Sequence, residues 1–426
     1  MSQRFSSSND ATSQSDAAQV EAVVSLASIR TRAVHGWRSR PIGPSSSQPR
    51  AAPLVAPIVQ SATFAQLEPG EPQEHTYSRA SNPTVEALER GIAAIDDAPA
   101  AVAFSSGLAA THTLAIALLA QGDHAIVGRA SYGGTVRLFR EILAPLGIQT
   151  SFVDATDLDA IAAALTPRTK LLLVETPANP TLDLCDIAAT ARLARAAHIP
   201  LAVDNTFLTA VHQRVLDLGA DVSLLSTTKW IDGHNATIGG ALSTRDEILA
   251  TRLRFLRKSL GNIQSPFDAW LTLQGLKTLP LRLERHSASA LEIARWLDGR
   301  TGIARTLYPG LRTHRQHELA RAQHTGGHGG IVTFELAGGL AAAKDLARNL
   351  KVITLAESLG GLESLLTHPA SMTHGDVPSA QRTAIGLTDG LVRLSVGIES
   401  VNDLKRDLAQ ALAARPVDRR EMSRVS

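Results

Sequence analysis

Between residues 100 and 229 the chain alternates short, almost wholly apolar runs with longer Ala/Leu-rich stretches of helical spacing. "AAVAF" precedes "GLAATHTLAIALLA". "DHAIVG" precedes a glycine turn and "TVRLFREILAPLG". "KLLLVETP" precedes "DIAATARLARAAH", and "PLAVDNTF" precedes "VHQRVLDLG". "DVSLLSTTK" closes the series at Lys229. Short apolar runs without strict alternation read as strands buried on both faces. The pattern therefore predicts strand–helix repeats building a largely parallel sheet covered on both sides. Beyond Phe267 helical spacing dominates, in "AWLTLQGLKTL", "RLERHSASALEIARWL" and "LAAAKDLARNL", with strand-like "GIVTFEL" and "GLVRLSVGI" between them. That predicts a smaller α+β C-terminal domain. Upstream, residues 38–57 are rich in Pro and Ser and predict an extended arm. The expected divisions are a disordered tail at 1–20, an N-terminal arm at 21–81, a main α/β domain at 82–275 and a C-terminal domain at 276–426.

Composition narrows the function classes. A chain of 426 residues is too long for one small core, and its net charge is only +2. Basic residues are interspersed with acids, without aromatic-laced Lys/Arg runs, which argues against nucleic-acid binding. No stretch has the length and apolarity of a membrane span, and the Ser-rich N-terminus lacks an apolar signal core. The single cysteine, Cys185, excludes an internal disulfide and reads as a buried structural thiol. The expectation is a cytoplasmic protein without membrane contact.

Ligands of open α/β sheets bind beyond the carboxyl ends of the strands. Those ends carry Ser105, Ser106, Gly107 and Leu108 at a helix start, Tyr132 before a Gly-Gly pair, Asn179, Asp204, and Ser226, Thr228 and Lys229. Each alone reads most simply as a cap or turn residue. Together, a helix N-terminus beside two hydroxyls makes an anion site, a carboxylate can hold a cationic ring nitrogen, an aromatic can stack, and a lysine can form an imine. The chain has seven lysines among many arginines, and arginine cannot form an imine. This set predicts a pyridoxal phosphate site. No glycine run matches a nucleotide-phosphate loop. His314, His317, His324 and His328 cluster in sequence, but a Gly pair breaks helical spacing and no cysteine or nearby acid pair completes a metal set, so no metal is expected there. His368 and His374 read as structural.

From about Thr31 to Ala413 the chain resembles the Cys/Met-metabolism family of pyridoxal phosphate enzymes, which has the aspartate aminotransferase fold. The matching stretches include "YSRASNPTVEALE", "AFSSGLAA", "SYGGT", "VETPANPT", "VDNTF", "STTKWIDGHN", "LAESLGGLESLLTHPASMTH" and "LVRLSVGIES". The resemblance implies that Lys229 carries the cofactor as an imine and acts as catalytic base. It implies that Asp204 pairs with the pyridine nitrogen and that Tyr132 stacks on the ring and assists proton transfer. Gly107, Leu108, Ser226 and Thr228 would bind the phosphate, completed by Tyr77 and Arg79 from a neighbouring subunit. Arg393 would take the substrate carboxylate with Ser358 and Asn179. A homo-oligomer with shared active sites, a dimer of dimers, follows from the same resemblance.

Within the family three features lean toward γ-cleavage of cystathionine to cysteine, 2-oxobutyrate and ammonia. Gly134 stands where a methionine γ-lyase typically carries cysteine. "ESLGGLESL" keeps Ser358 and Glu363, and Glu363 is the expected specificity residue. "RLRFLRKSLGNIQSPFDAWL" is similar to the γ-lyase segment. The rival is a transferase performing γ-replacement on an O-acylhomoserine with the same residues. A non-catalytic member is disfavoured by intact Lys229, Asp204 and Arg393. Gln274, the arm, and "KWIDGHNATIGG" depart from the family's usual pattern and bear on substrate choice.

Overall fold

The computed structural model describes residues 28–38, 53–71, 73–373, 375, 382–383 and 385–413. The expected tail, most of the Pro/Ser-rich arm and His374 lie outside them.

Seven strands form the first sheet: β1 Ala100–Phe104, β2 His124–Gly128, β3 Gln149–Val153, β4 Thr169–Glu175, β5 Leu201–Asp204, β6 Val222–Leu225 and β7 Gly240–Thr244. Their order is β1-β7-β6-β5-β4-β2-β3. β7 runs antiparallel to both neighbours, and the other pairings are parallel. Six strands thus end on one side of the sheet. Side chains alternate between faces along a strand, and both faces are covered. Leu171 and Leu173 of β4 join one apolar cluster, whereas Leu172 and Val174 join the other. This is why the strands read as unbroken apolar runs.

Some expected helices are shorter or broken. "VHQRVLDLG" gives only the single turn Thr209–His212, because the chain then swings into turns through Gly219 at φ +105°. "TVRLFREILAPLG" starts as α-helix over Gly133–Arg137, widens to a π-helix over Leu138–Leu143 and tightens to 3₁₀ over Ala144–Leu146, where Pro145 cannot donate.

Two expected helices are one. Residues Pro266–Leu297 form a continuous helix of 32 residues, capped by Ser265 accepting from the Asp268 N–H. Pro266 occupies the first turn, where its missing N–H is harmless, and Pro280 sits within. The expected boundary after residue 275 therefore falls inside this helix, which runs from one sheet to the other. The long helix packs against the helices Pro83–Asp96 and Ile29–His35. A Cβ on Gly91 would come within 2.7 Å of Leu276, so glycine sets that close approach. Ile29–His35, within the expected N-terminal arm and ahead of its Pro/Ser-rich part, is helical.

The second sheet has order β10-β11-β12-β9-β8, from β8 Ile303–Leu307, β9 Ile331–Leu336, β10 Thr354–Leu355, β11 Leu365–Thr367 and β12 Leu391–Ser395. Helices Gly339–Asn349 and Val401–Ala413 pack with each other, and the first also packs on β9. Among the described residues no helix is long and apolar enough to cross a membrane.

Candidate active site

The strand ends of the first sheet meet β12 and the 357–359 loop around a cleft of ≈ 270 Å³. Gly107, Leu108, Tyr132, Asn179, Asp204, Ser226, Thr228, Lys229, Ser358 and Arg393 all line it. Residues more than 280 positions apart in sequence are thus brought to one wall by the two sheets.

One end of the cleft is an anion cradle. Ser106 caps the helix Gly107–Leu118 by accepting from the Ala109 N–H, which leaves the N–H groups of Gly107 and Leu108 at the helix start free of intrahelical partners. A Cβ on Gly107 would stand 2.9 Å from Ser226 Cβ, so only glycine lets the helix start reach the Ser226 hydroxyl. The Ser226 N–H is fixed by Thr206 Oγ1 at 2.9 Å. Thr228 Oγ1 accepts from the Gly239 N–H and donates to the Gly239 carbonyl, so binding an anion requires its hydroxyl hydrogen to turn.

The middle of the cleft is acidic and short of positive charge. Glu175 and Asp204 are register partners at the ends of β4 and β5. Burial pushes the Asp204 carboxyl up to about 6, against hydrogen bonds from Thr206 that pull it down. Burial, and the Asp204 charge next to it, hold Glu175 well above the usual carboxylate range. Among the described residues Asp204 forms no ion pair, whereas Arg393 partly offsets Glu175. The residues present fit pyridoxal phosphate, whose ring nitrogen would be held as a cation by Asp204. Glu175 was not singled out in the sequence. Its signal was the one that marked Asp204: an acid ending an apolar strand. Its Oε2 accepts from the Tyr132 N–H at 2.6 Å and so sets where the aromatic begins.

Tyr132 lies 47% exposed at the mouth. A Cβ on Gly134 would come within 2.4 Å of its ring. Any side chain at residue 134, cysteine included, would displace that ring.

Lys229 Nζ donates to Ser358 Oγ at 2.9 Å. Burial and the nearby Arg393 charge lower the amine to about 8, although Glu357 favours its protonated form. Ser358 adopts φ +85°, a left-handed conformation costly for a residue with a Cβ. That turn sends its hydroxyl to Lys229 and its carbonyl to Arg393 Nη2 at 2.7 Å. Arg393 Nη1 donates to Asn179 Oδ1 at 2.8 Å, and Nη2 also reaches Thr367 Oγ1 at 3.1 Å. The guanidinium is buried, and among the described residues its Nε has no hydrogen-bond partner. A buried orphan donor on an oriented fork suits a carboxylate.

Three expected residues lie off this cleft. Tyr77 and Arg79 do not line it. Arg79 instead donates to the Lys258 carbonyl at 2.8 Å and stacks over the Tyr77 ring, which is 46% exposed. Glu363 also lies outside the lining, its Oε2 accepting from Asn235 Nδ2 at 2.9 Å. Glu357, six residues earlier, stands on the wall instead. The Gly360–Gly361 turn lies between the two glutamates, and Glu363 is placed toward Asn235. Gln274 accepts from Lys277 Nζ at 3.0 Å on the long helix.

A second, larger cleft of ≈ 680 Å³ meets the first at Glu175 and runs past Ser131, Asp154, Asp183 and Arg305. It has no lysine in its lining. Cys185, on its wall, is buried and bonded to Thr190 Oγ1, and burial pushes its thiol up to about 12.

The sequence profile of the Cys/Met metabolism PLP-dependent enzymes matches residues 42–413. The chain belongs to that family. It is 44% identical over 402 residues to the cystathionine gamma-lyase of Rattus norvegicus, covering 94% of this chain and 99% of the relative. It is 42% identical over 386 residues to the cystathionine beta-lyase of Coxiella burnetii, covering 90% and 97%. The solved cystathionine gamma synthase of Xanthomonas oryzae pv. oryzae, in complex with aminoacrylate and cysteine, superposes with a TM-score of 0.86 at 40% identity, covering 91% of this chain and 98% of that one. This family member is thus a pyridoxal phosphate-dependent trans-sulfuration enzyme, with relatives divided among γ-lyase, β-lyase and γ-synthase activities. Its fold is the family's α/β fold: a mostly parallel seven-stranded sheet with a smaller C-terminal mixed sheet.

Proposed function

We propose that the enzyme is a cystathionine γ-lyase, splitting the Cγ–S bond of L-cystathionine to give cysteine, 2-oxobutyrate and ammonia. The observation that carries this reading is Glu357 on the cleft wall, close enough to Lys229 and Arg393 to influence the proton affinity of both. Cystathionine carries an ammonium and carboxylate at each end. Arg393 suits one carboxylate, and Glu357 suits the distal ammonium.

Bound pyridoxal phosphate supplies an aldehyde for amines and a ring that accepts the electrons left by a departing proton. This chain's residues do the rest. The Arg393 fork, oriented by Asn179 and the Ser358 carbonyl, fixes the substrate α-carboxylate. The Lys229 amine, whose proton affinity burial lowers, takes the proton from Cα and then one from Cβ, whose electron pair expels the sulfur at Cγ, and returns a proton to Cγ. Ser358 Oγ holds that amine in line. Tyr132, with its backbone fixed by Glu175, covers the mouth and hands a proton to the leaving sulfur. Asp204 keeps the ring nitrogen cationic. Tyr77 and Arg79, exposed and off their own cleft, serve the anion cradle of a second copy, which makes the working enzyme at least a dimer.

γ-Replacement on an O-acylhomoserine would use the same floor. Giving the cofactor-loaded enzyme L-cystathionine and weighing the keto acid decides. 2-Oxobutyrate supports the lyase; pyruvate means β-cleavage; no keto acid, with cystathionine formed from an O-acylhomoserine and cysteine, means the transferase.

A further inference from the structure

Among the described residues, the group whose nitrogen and carboxylate atoms converge is not in the histidine-rich segment. It is Glu74, His75 and Glu86, whose candidate ligand atoms all lie within 4.8 Å of one another. Glu74 and His75 belong to the loop before Tyr77. Glu86 stands in the first turn of the helix Pro83–Asp96, where an acid also complements the helix end.

The hydrogen bonds around His75 bear on which nitrogen is free. The Ser81 hydroxyl donates to the Glu74 carbonyl at 3.4 Å. In the tautomer with Nδ1 protonated, the same oxygen accepts from His75 Nδ1–H, 3.0 Å away. Nε2 is left with its lone pair turned toward two carboxylates, 3.9 Å from Glu74 Oε1 and 3.8 Å from Glu86 Oε2. Lone pairs gathered in this way repel unless a cation lies among them. Those separations are too long for hydrogen bonds from a protonated ring. In a tetrahedral site ligands ~2.1 Å from zinc stand about 3.4 Å apart, so side-chain rotations that close a few tenths of an ångström bring these atoms onto one ion. A ligating histidine that donates its other N–H to a neighbouring oxygen is also the usual arrangement, and Ser81 provides it. Of the surrounding charges, Arg90 reaches Glu86 only at 3.8 Å.

We propose that Glu74, His75 and Glu86 form a site for one divalent transition-metal ion of the zinc type, with the remaining position open to water or a neighbouring molecule. The ion would tie the loop that carries Tyr77 and Arg79 to the helix behind it. Any effect on cofactor retention by a second copy rests on the shared-site reading given above; metal binding itself does not.

The test therefore counts metal. The holoenzyme is dialysed against EDTA, equilibrated with micromolar zinc sulfate, passed through a desalting column and analysed for zinc per chain. One zinc per chain is expected. His75→Gln and Glu86→Gln should each weaken binding at least tenfold, and His75→Cys should retain it. His317→Gln, in the histidine-rich segment, should leave it unchanged. Circular dichroism and bound-cofactor absorbance of each variant establish that it is folded. Substoichiometric zinc in the wild type, or full zinc in folded His75→Gln, overturns the proposal. Loss in His317→Gln with retention in His75→Gln would move the site elsewhere and overturn it equally.

Discussion

Asp204 and Arg393 lie on the floor of the cleft, held by the ends of strands and by hydrogen bonds from Thr206 and to Asn179 and Ser358. Glu357, Tyr132 and Tyr77 lie at the rim and beyond it, each exposed over more than a third of its surface. The floor is paired strand by strand, so a residue there is placed by register. The rim is placed by turns and, in the proposed dimer, by another chain. Floor residues should therefore govern whether any chemistry occurs, and rim residues which substrate undergoes it.

The largest effect tests the floor. Lys229→Ala should lower kcat by about 1000-fold or more, since loss of a general base alone costs ~10²–10⁴-fold. The visible absorbance of the bound cofactor should vanish after dialysis; a retained band would remove Lys229 from its role. Arg393→Ala should raise KM by roughly 10- to 100-fold, the worth of charged hydrogen bonds of about 1.5–3 kcal/mol. A change under threefold would detach the carboxylate from this arginine.

The comparison sharpens at the rim. Glu357→Gln should raise KM for cystathionine about tenfold, on the scale of one charge-assisted bond, while sparing turnover of smaller amino acids. Glu363→Gln should change it less than twofold, because that carboxylate faces Asn235. The reverse order would restore Glu363 to the wall. Mixed dimers of Arg79→Ala and Lys229→Ala subunits should regain part of the activity that each parent lacks, as measured after confirmed subunit exchange.

The smallest effect is a pH dependence. The Lys229 amine of cofactor-free protein, lowered to about 8, is mostly protonated at neutral pH. Cofactor rebinding should quicken roughly tenfold from pH 6 to 7 and level off above pH 8. A plateau reached only near pH 10 would mean an unperturbed amine. The sign for stability is the same. The folded chain holds fewer protons here than the unfolded one between about pH 8 and 10.5, so this residue's contribution rises with pH in that window.

The floor was legible from the sequence because strands end where apolar runs end. Asp204 and Lys229 stood out by that rule, and Glu175 obeyed it unnoticed inside "VETP". The rim was less legible. In "ESLGGLESL" two glutamates flank a glycine pair, and only the positive φ values of Ser358 and Gly360 decide which one turns inward. Buried partners far apart in sequence were also invisible. Glu89 and Arg257, for instance, form an ion pair that joins two helices beneath β1, where each is nearly fully buried. Periodicity showed that helices exist but not that two of them are one, because Pro280 reads as a break until packing holds the helix together.

Cys185 gains a meaning from the proposed chemistry. An enzyme that releases cysteine sits in the highest local concentration of thiol in its surroundings. Its own sulfur is almost fully buried and bonded to Thr190, and it remains a thiol far above neutral pH. Exchange with a disulfide needs a thiolate within reach, and this chain offers none. On that reading Cys185 forms no mixed disulfide with cystine, and activity should not drift through thiol exchange as released cysteine accumulates and oxidises.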